Sequence, residues 1–156
     1  MTTAFAIASI FTAMQVGDAP PRFAPPVPMQ AGGEIIDVTT GHAAPYVFDF
    51  DGDGVRDLLV GEFGAKPFKG ETTGKAGPGH PWVAGKLRFY RNHGSDQDPR
   101  YEGFTYVQAG GSDAQVPITC CVSFVPQFID FNADGVRDMI SGSYPGDIYF
   151  FAGNES

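Results

Sequence analysis

The chain has 156 residues and a formal net charge of −8, with 18 Asp and Glu against 10 Lys and Arg. That length supports one ordinary domain rather than two large ones. The acidic balance argues against nucleic acid, whose phosphates need basic side chains, and gives no support to binding an anionic membrane surface.

Fourteen Phe and six Tyr supply core material, and 21 Gly and 13 Pro punctuate it, so the composition reads as all-β with many turns. Residues 4–14 are apolar and have the length of a signal-peptide core, yet no Lys or Arg precedes them. They read either as an export signal or as a first strand or tail, and they are too short to span a membrane. Residues 19–28 hold five prolines in ten positions, which predicts a stiff extended linker. Residues 1–30 therefore divide from a folded region at 31–156.

Strands are expected at 34–38 (EIIDV), 44–50 (APYVFDF), 57–63 (DLLVGEF), 86–92 (KLRFYRN) and 104–108 (FTYVQ). A loop rich in Gly, Pro and Lys is expected at 66–81. Residues 111–121 (GSDAQVPITCC) read as an insertion. Three further strands follow within 123–131, 138–144 and 147–153, and no amphipathic helix pattern appears.

Two acidic stretches carry the strongest signal. The first runs Asp49-x-Asp51-x-Asp53-Gly54-x-x-Asp57, and the second runs Asp130-x-Asn132-x-Asp134-Gly135-x-x-Asp138, at a constant offset of 81 residues. Repetition of short-strand units marks propellers and solenoids. Oxygens at alternate positions converge if the backbone curls around an ion, and the glycine permits the sharp turn. Calcium takes six to eight oxygens at flexible geometry, so the expected ligands are Asp49, Asp51, Asp53, the Val55 carbonyl and Asp57. The second set is Asp130, Asn132, Asp134, the Val136 carbonyl and Asp138, weaker by one charge. Magnesium suits such a loop less well, because it demands a tight octahedron. Plain Asp-Gly turns are the simpler alternative, but four close carboxylates repel one another without a cation. A helix–loop–helix calcium site needs Glu at the twelfth position, where Val60 and Ser141 stand.

A strand, DxDxDGxxD, DLLVG and then GKLRFYRN together resemble the FG-GAP repeat, also called the VCBS repeat. The resemblance covers residues 43–110 and 123–153. It implies a partial β-propeller of about two four-stranded antiparallel blades, with two calcium sites at the residues named above. It also implies a secreted, extracellular or periplasmic, non-catalytic module that binds a protein or carbohydrate. An accessory propeller region of a secreted polysaccharide-active enzyme is the alternative, and a structural piece of a larger propeller is a third reading. Two blades cannot close a ring, so association with further blades or self-association is expected.

Cys120 and Cys121 are adjacent, which excludes a spaced disulfide framework within one chain. They read as small apolar residues, with a vicinal disulfide as the lesser alternative. His42, His80 and His93 lack ligand spacing. Trp82 reads as a packing residue before a sugar platform. No GxxxxGK[ST] or GxSxG pattern is present, and no catalytic constellation is visible.

Overall fold

The structure, a computed structural model, describes residues 22–38, 40–75 and 81–154. The apolar stretch at 4–14, the loop tip at 76–80 and His80 lie outside the described residues. Residues 22–29 are exposed and take no regular structure. The strands are β1 (Gln30–Ala31), β2 (Glu34–Ile35), β3 (Ala44–Phe48), β4 (Asp57–Glu62), β5 (Val83–Tyr90), β6 (Thr105–Tyr106), β7 (Gln108–Ala109), β8 (Ser112–Asp113), β9 (Gln115–Ile118), β10 (Pro126–Ile129), β11 (Asp138–Gly142) and β12 (Ile148–Phe151). The fold is all-β: among the described residues there is no helix, every strand pairs antiparallel, and none of the sheets closes. No helix among them is long and apolar enough to cross a membrane.

The first large sheet runs β3-β4-β5-β6, with β9 also on β5. Lys86 of β5 pairs with Glu62 of β4 and with Gln115 of β9, so β6 and β9 share the far edge of β5. The fourth strand position is thus filled in two pieces. The expected strand at 104–108 divides because the chain turns out at Val107 into a hairpin, β7–β8, through Gly110 and Gly111. Both glycines have positive φ (59° and 81°), as a tight two-residue hairpin turn requires. Residues 111–121 are therefore not a mere insertion. They contain β8 and β9, and Pro117 masks β9 in the sequence. A proline cannot donate to a ladder, but it is tolerated at a sheet edge, where Pro117 sits opposite Ala84.

The expected strand at 34–38 is shorter than its pattern. Only Glu34 and Ile35 pair, across a Gly32-Gly33 turn, with Gln30 and Ala31. Ile36 still gives its N–H to the Met29 carbonyl at 2.9 Å, while its side chain and that of Val38 pack on Leu58, Val60 and Tyr90. β4 is consequently buried along its whole length.

The second large sheet is the three-stranded meander β10-β11-β12, with no fourth strand among the described residues. Its register repeats that of the first sheet. Leu58 pairs with Val47 and Tyr90; Met139 pairs with Phe128 and Phe151. Leu59 pairs with Phe89 as Ile140 pairs with Phe150, and Gly61 with Leu87 as Gly142 with Ile148.

The main core lies between these sheets. Leu59, Leu87, Val116, Ile118 and Phe124 are fully buried there, each burial stabilising by roughly 1.5–3 kcal/mol. Phe128 stacks on Phe48 at 5.2 Å and meets Tyr46 at 5.6 Å. The first sheet therefore offers its Tyr46–Phe48–Leu59–Phe89 face to the Phe128–Met139–Phe151 face of the second. Those are opposite faces of the shared pattern, so the sheets stack in the same sense. The first sheet also meets the irregular segment that leads into β10: a Cβ at Gly61 would lie 1.7 Å from the Phe124 carbonyl oxygen. Thr72 and Thr73 of the long loop donate to Asp147, and the Tyr149 hydroxyl donates to the Glu71 carbonyl at 2.6 Å, strapping the first unit to the second.

Candidate metal centre

The first acidic loop joins β3 to β4. Asp49 Oδ1 accepts the Gly52 N–H at 2.9 Å and Oδ2 the Gly54 N–H at 3.1 Å. Asp51 Oδ1 accepts from the Asp53 N–H at 3.2 Å, and Asp53 Oδ1 from the Val55 N–H at 2.9 Å. Side chains two residues apart thus grip the backbone and curl it. Gly52 and Gly54 make the curl possible with φ of 77° and 88°.

The second loop joins β10 to β11 and is built alike. Asp130 Oδ2 accepts the Gly135 N–H at 3.0 Å, Asn132 Oδ1 the Asp134 N–H at 3.0 Å, and Asp134 Oδ1 the Val136 N–H at 2.8 Å. Ala133 takes the place of Gly52 and still adopts φ of 61°.

Asp57 and Asp138 do something the others do not. Both are fully buried. Asp57 accepts the Phe50 N–H at 3.0 Å and the Asn92 N–H at 2.8 Å. Asp138 accepts the Phe131 N–H at 2.9 Å and the Gly153 N–H at 2.8 Å. Each ties the acidic loop to the chain leaving the third strand of its meander. The Asp138 carboxyl lies below its ordinary range, first through the N–H of Gly153, against the opposing effect of burial. Nothing in the spacing revealed this clamp; an aspartate opening an apolar strand was the available signal.

Carboxylate oxygens of Asp49, Asp51 and Asp57 lie within 4.8 Å of one another. Hard oxygen donors at that separation are a donor set for a divalent cation. Asp53 is not in the group. Its Oδ2 meets Arg91 Nη2 at 3.1 Å, while Arg91 Nε meets Asp51 Oδ2 at 3.0 Å. The Asp53 carboxyl is held below its ordinary range by the Val55 N–H first and Arg91 second. Arg91 was absent from the sequence expectation, although it stands in the FYRN motif beside the loop. In the second loop Asn132 Nδ2 donates to Asp134 Oδ2 at 2.7 Å, so the asparagine's amide faces its neighbour.

His93 follows Asn92 and lies near enough to Asp53 to help lower its carboxyl, while the other candidates stay apart from these loops. Cys120 and Cys121 carry free thiols, Cys121 exposed with φ of 63°. Trp82 is half-buried and packs on Tyr144 at 5.7 Å. His42 stacks on Phe63 at 5.7 Å.

No family model, no curated protein and no solved structure matches this chain.

Proposed function

We propose that the chain is a calcium-binding repeat protein of the FG-GAP/VCBS kind, acting outside the cytoplasm as a non-catalytic module that binds a protein or carbohydrate. The observation that carries this is the convergence of Asp49, Asp51 and Asp57 oxygens within 4.8 Å, in a loop whose curl recurs 81 residues on. Three carboxylates at that separation repel one another, and a cation relieves the repulsion. The fit is to a hard cation: every candidate donor is a carboxylate, amide or backbone oxygen. Calcium would be held by Asp49, Asp51 and Asp57 with the Val55 carbonyl, and Asp53 would join on release from Arg91. In the second loop Asp130, Asn132, Asp134, Asp138 and the Val136 carbonyl would serve. The bound ion would rigidify each turn, and its binding energy would add to folding stability.

A second reading, a structural piece of a larger propeller, is favoured by one specific contrast. Leu87 is fully buried while its counterpart Ile148 is 78% exposed, and Phe131, counterpart of half-buried Phe50, is 66% exposed. Gly61 is closed off by the Phe124 backbone, whereas its counterpart Gly142 faces open space. The face that the second unit covers on the first is bare on the second itself.

Calorimetric titration with calcium tests the main reading, with magnesium as control and an Asp49→Ala plus Asp130→Ala variant alongside. Two calcium events, absent from the variant and weak for magnesium, are expected. A folded protein that takes up no calcium would overturn it.

A further inference from the structure

A cleft of about 660 Å³ opens between the two large sheets and the β7–β8 hairpin. Its volume falls within the roughly 300–1,000 Å³ common for small-molecule sites. Phe48, Phe50, Phe128 and Phe151 wall it, and Gln108 and Asn154 bring neutral amides to it. Among the described residues that line it, Arg137 alone carries a charge. In a chain of net charge −8 a cationic lining is the opposite of the general surface.

Arg137 differs from its counterpart in the first unit. Arg56 is neutralised by Asp96, with Nε–Oδ2 at 3.1 Å and a backbone bond to the same carboxylate at 2.8 Å. Arg137 has no carboxylate partner among the described residues, and its guanidinium sits over the Phe48 ring at 4.3 Å. The ring holds the guanidinium at the cleft while the N–H donors that Arg56 spends on Asp96 remain for another acceptor. Guanidinium suits a carboxylate because two parallel N–H groups match its two oxygens. Phenylalanine faces suit a flat apolar body, which they take in offset or edge-on contact.

We infer that this cleft binds an organic carboxylate with a flat apolar body, the acid on Arg137 and the body laid against the Phe50, Phe128 and Phe151 lining. The site goes beyond the calcium reading and uses none of the loop carboxylates. Its single charge favours aromatic acids over neutral rings.

The probe is 2-naphthoate, titrated into the full chain in excess calcium, with 2-naphthalenemethanol as its neutral match. Naphthoate is expected to bind at least tenfold tighter than the alcohol. Arg137→Gln is expected to erase that difference, and Arg56→Gln to leave it intact. Naphthoate is also expected to shift backbone amide resonances at Phe48, Phe128, Gln108 and Asn154 in the unaltered protein, a readout that no variant's folding affects. Equal binding of acid and alcohol, no binding of either, a preference that survives in folded Arg137→Gln, or shifts confined to other surfaces would each overturn the inference.

Discussion

The Asp57 carboxylate accepts the backbone N–H of Asn92 at 2.8 Å, across 35 residues of chain. Its other oxygen holds the Phe50 N–H, so one buried group joins the acidic loop, the start of β4 and the exit of β5. Asp57→Ala leaves both N–H groups without that partner, at a cost of about 1–3 kcal/mol for each one buried. Urea denaturation in chelator is the measurement, because the loss is expected without any metal. An unchanged midpoint in chelator would mean that Asp57 serves the cation alone.

Asp138 makes the corresponding grip, and its carboxyl lies below the ordinary range. The sign follows from linkage. A carboxyl whose pKa falls on folding contributes stability above the unfolded value of about 3.9, and that contribution is lost as pH falls through the lower folded value. Acid titration of stability should show Asp138→Asn weaker than the parent at neutral pH, with the two curves closing below about pH 4. Curves that stay parallel to pH 2 would remove ionised Asp138 from the account.

Ala133 occupies a left-handed conformation at φ of 61°, where the first loop has Gly52 at 77°. A side chain costs about 1–2 kcal/mol there, and glycine returns part of the gain as extra unfolded-state freedom. Ala133→Gly should therefore stabilise by roughly 0.5–1 kcal/mol. Gly52→Ala should destabilise by a similar amount, since open space around Gly52 leaves backbone strain as the main penalty. Thermal unfolding of the two single variants checks both signs.

Much of this architecture was legible in the chain itself. The alternation in KLRFYRN, and DxDxDGxxD with its DxNxDGxxD counterpart, placed β4, β5, β10 and β11 because period-2 burial and Asp-Gly turns are local signals. What escaped was non-local. β9 was hidden because Pro117 weakens a strand pattern, and only the edge of β5 explains its tolerance. The strand at 104–108 divided because Val107 gives its N–H to Leu87 before the chain turns outward. Four acids in the first loop looked equivalent by spacing, yet Asp57 is buried and Asp53 is turned to Arg91, a residue 38 positions away. Spacing places carboxylates along a loop; the neighbours that compete for them come from other strands.

Arg91 competes with a cation for Asp51 and Asp53. Both contacts are solvent-facing, and water screens such pairs so that each is individually weak. Arg91→Gln should therefore raise calcium affinity at the first loop by about threefold to tenfold. The second loop, which has no such arginine contact among the described residues, should be unaffected. A calorimetric fit in which the first site weakens instead would make Arg91 an organiser of the loop rather than a competitor.

The bare face of the second sheet makes the last expectation. Ile129, Phe131, Ile148 and Phe150 are exposed together. Their counterparts Phe48, Phe50, Leu87 and Phe89 form the covered face of the first sheet. Apolar sheet faces left open favour association, so the chain should self-associate through this patch with rising concentration. Phe131→Ser with Ile148→Thr removes apolar surface and leaves the charge at −8, so a change reports the face and not the repulsion between copies. Light scattering should show concentration-dependent growth for the parent and a smaller particle for the variant. A parent that stays monomeric across the range would mean that this face is stable in water.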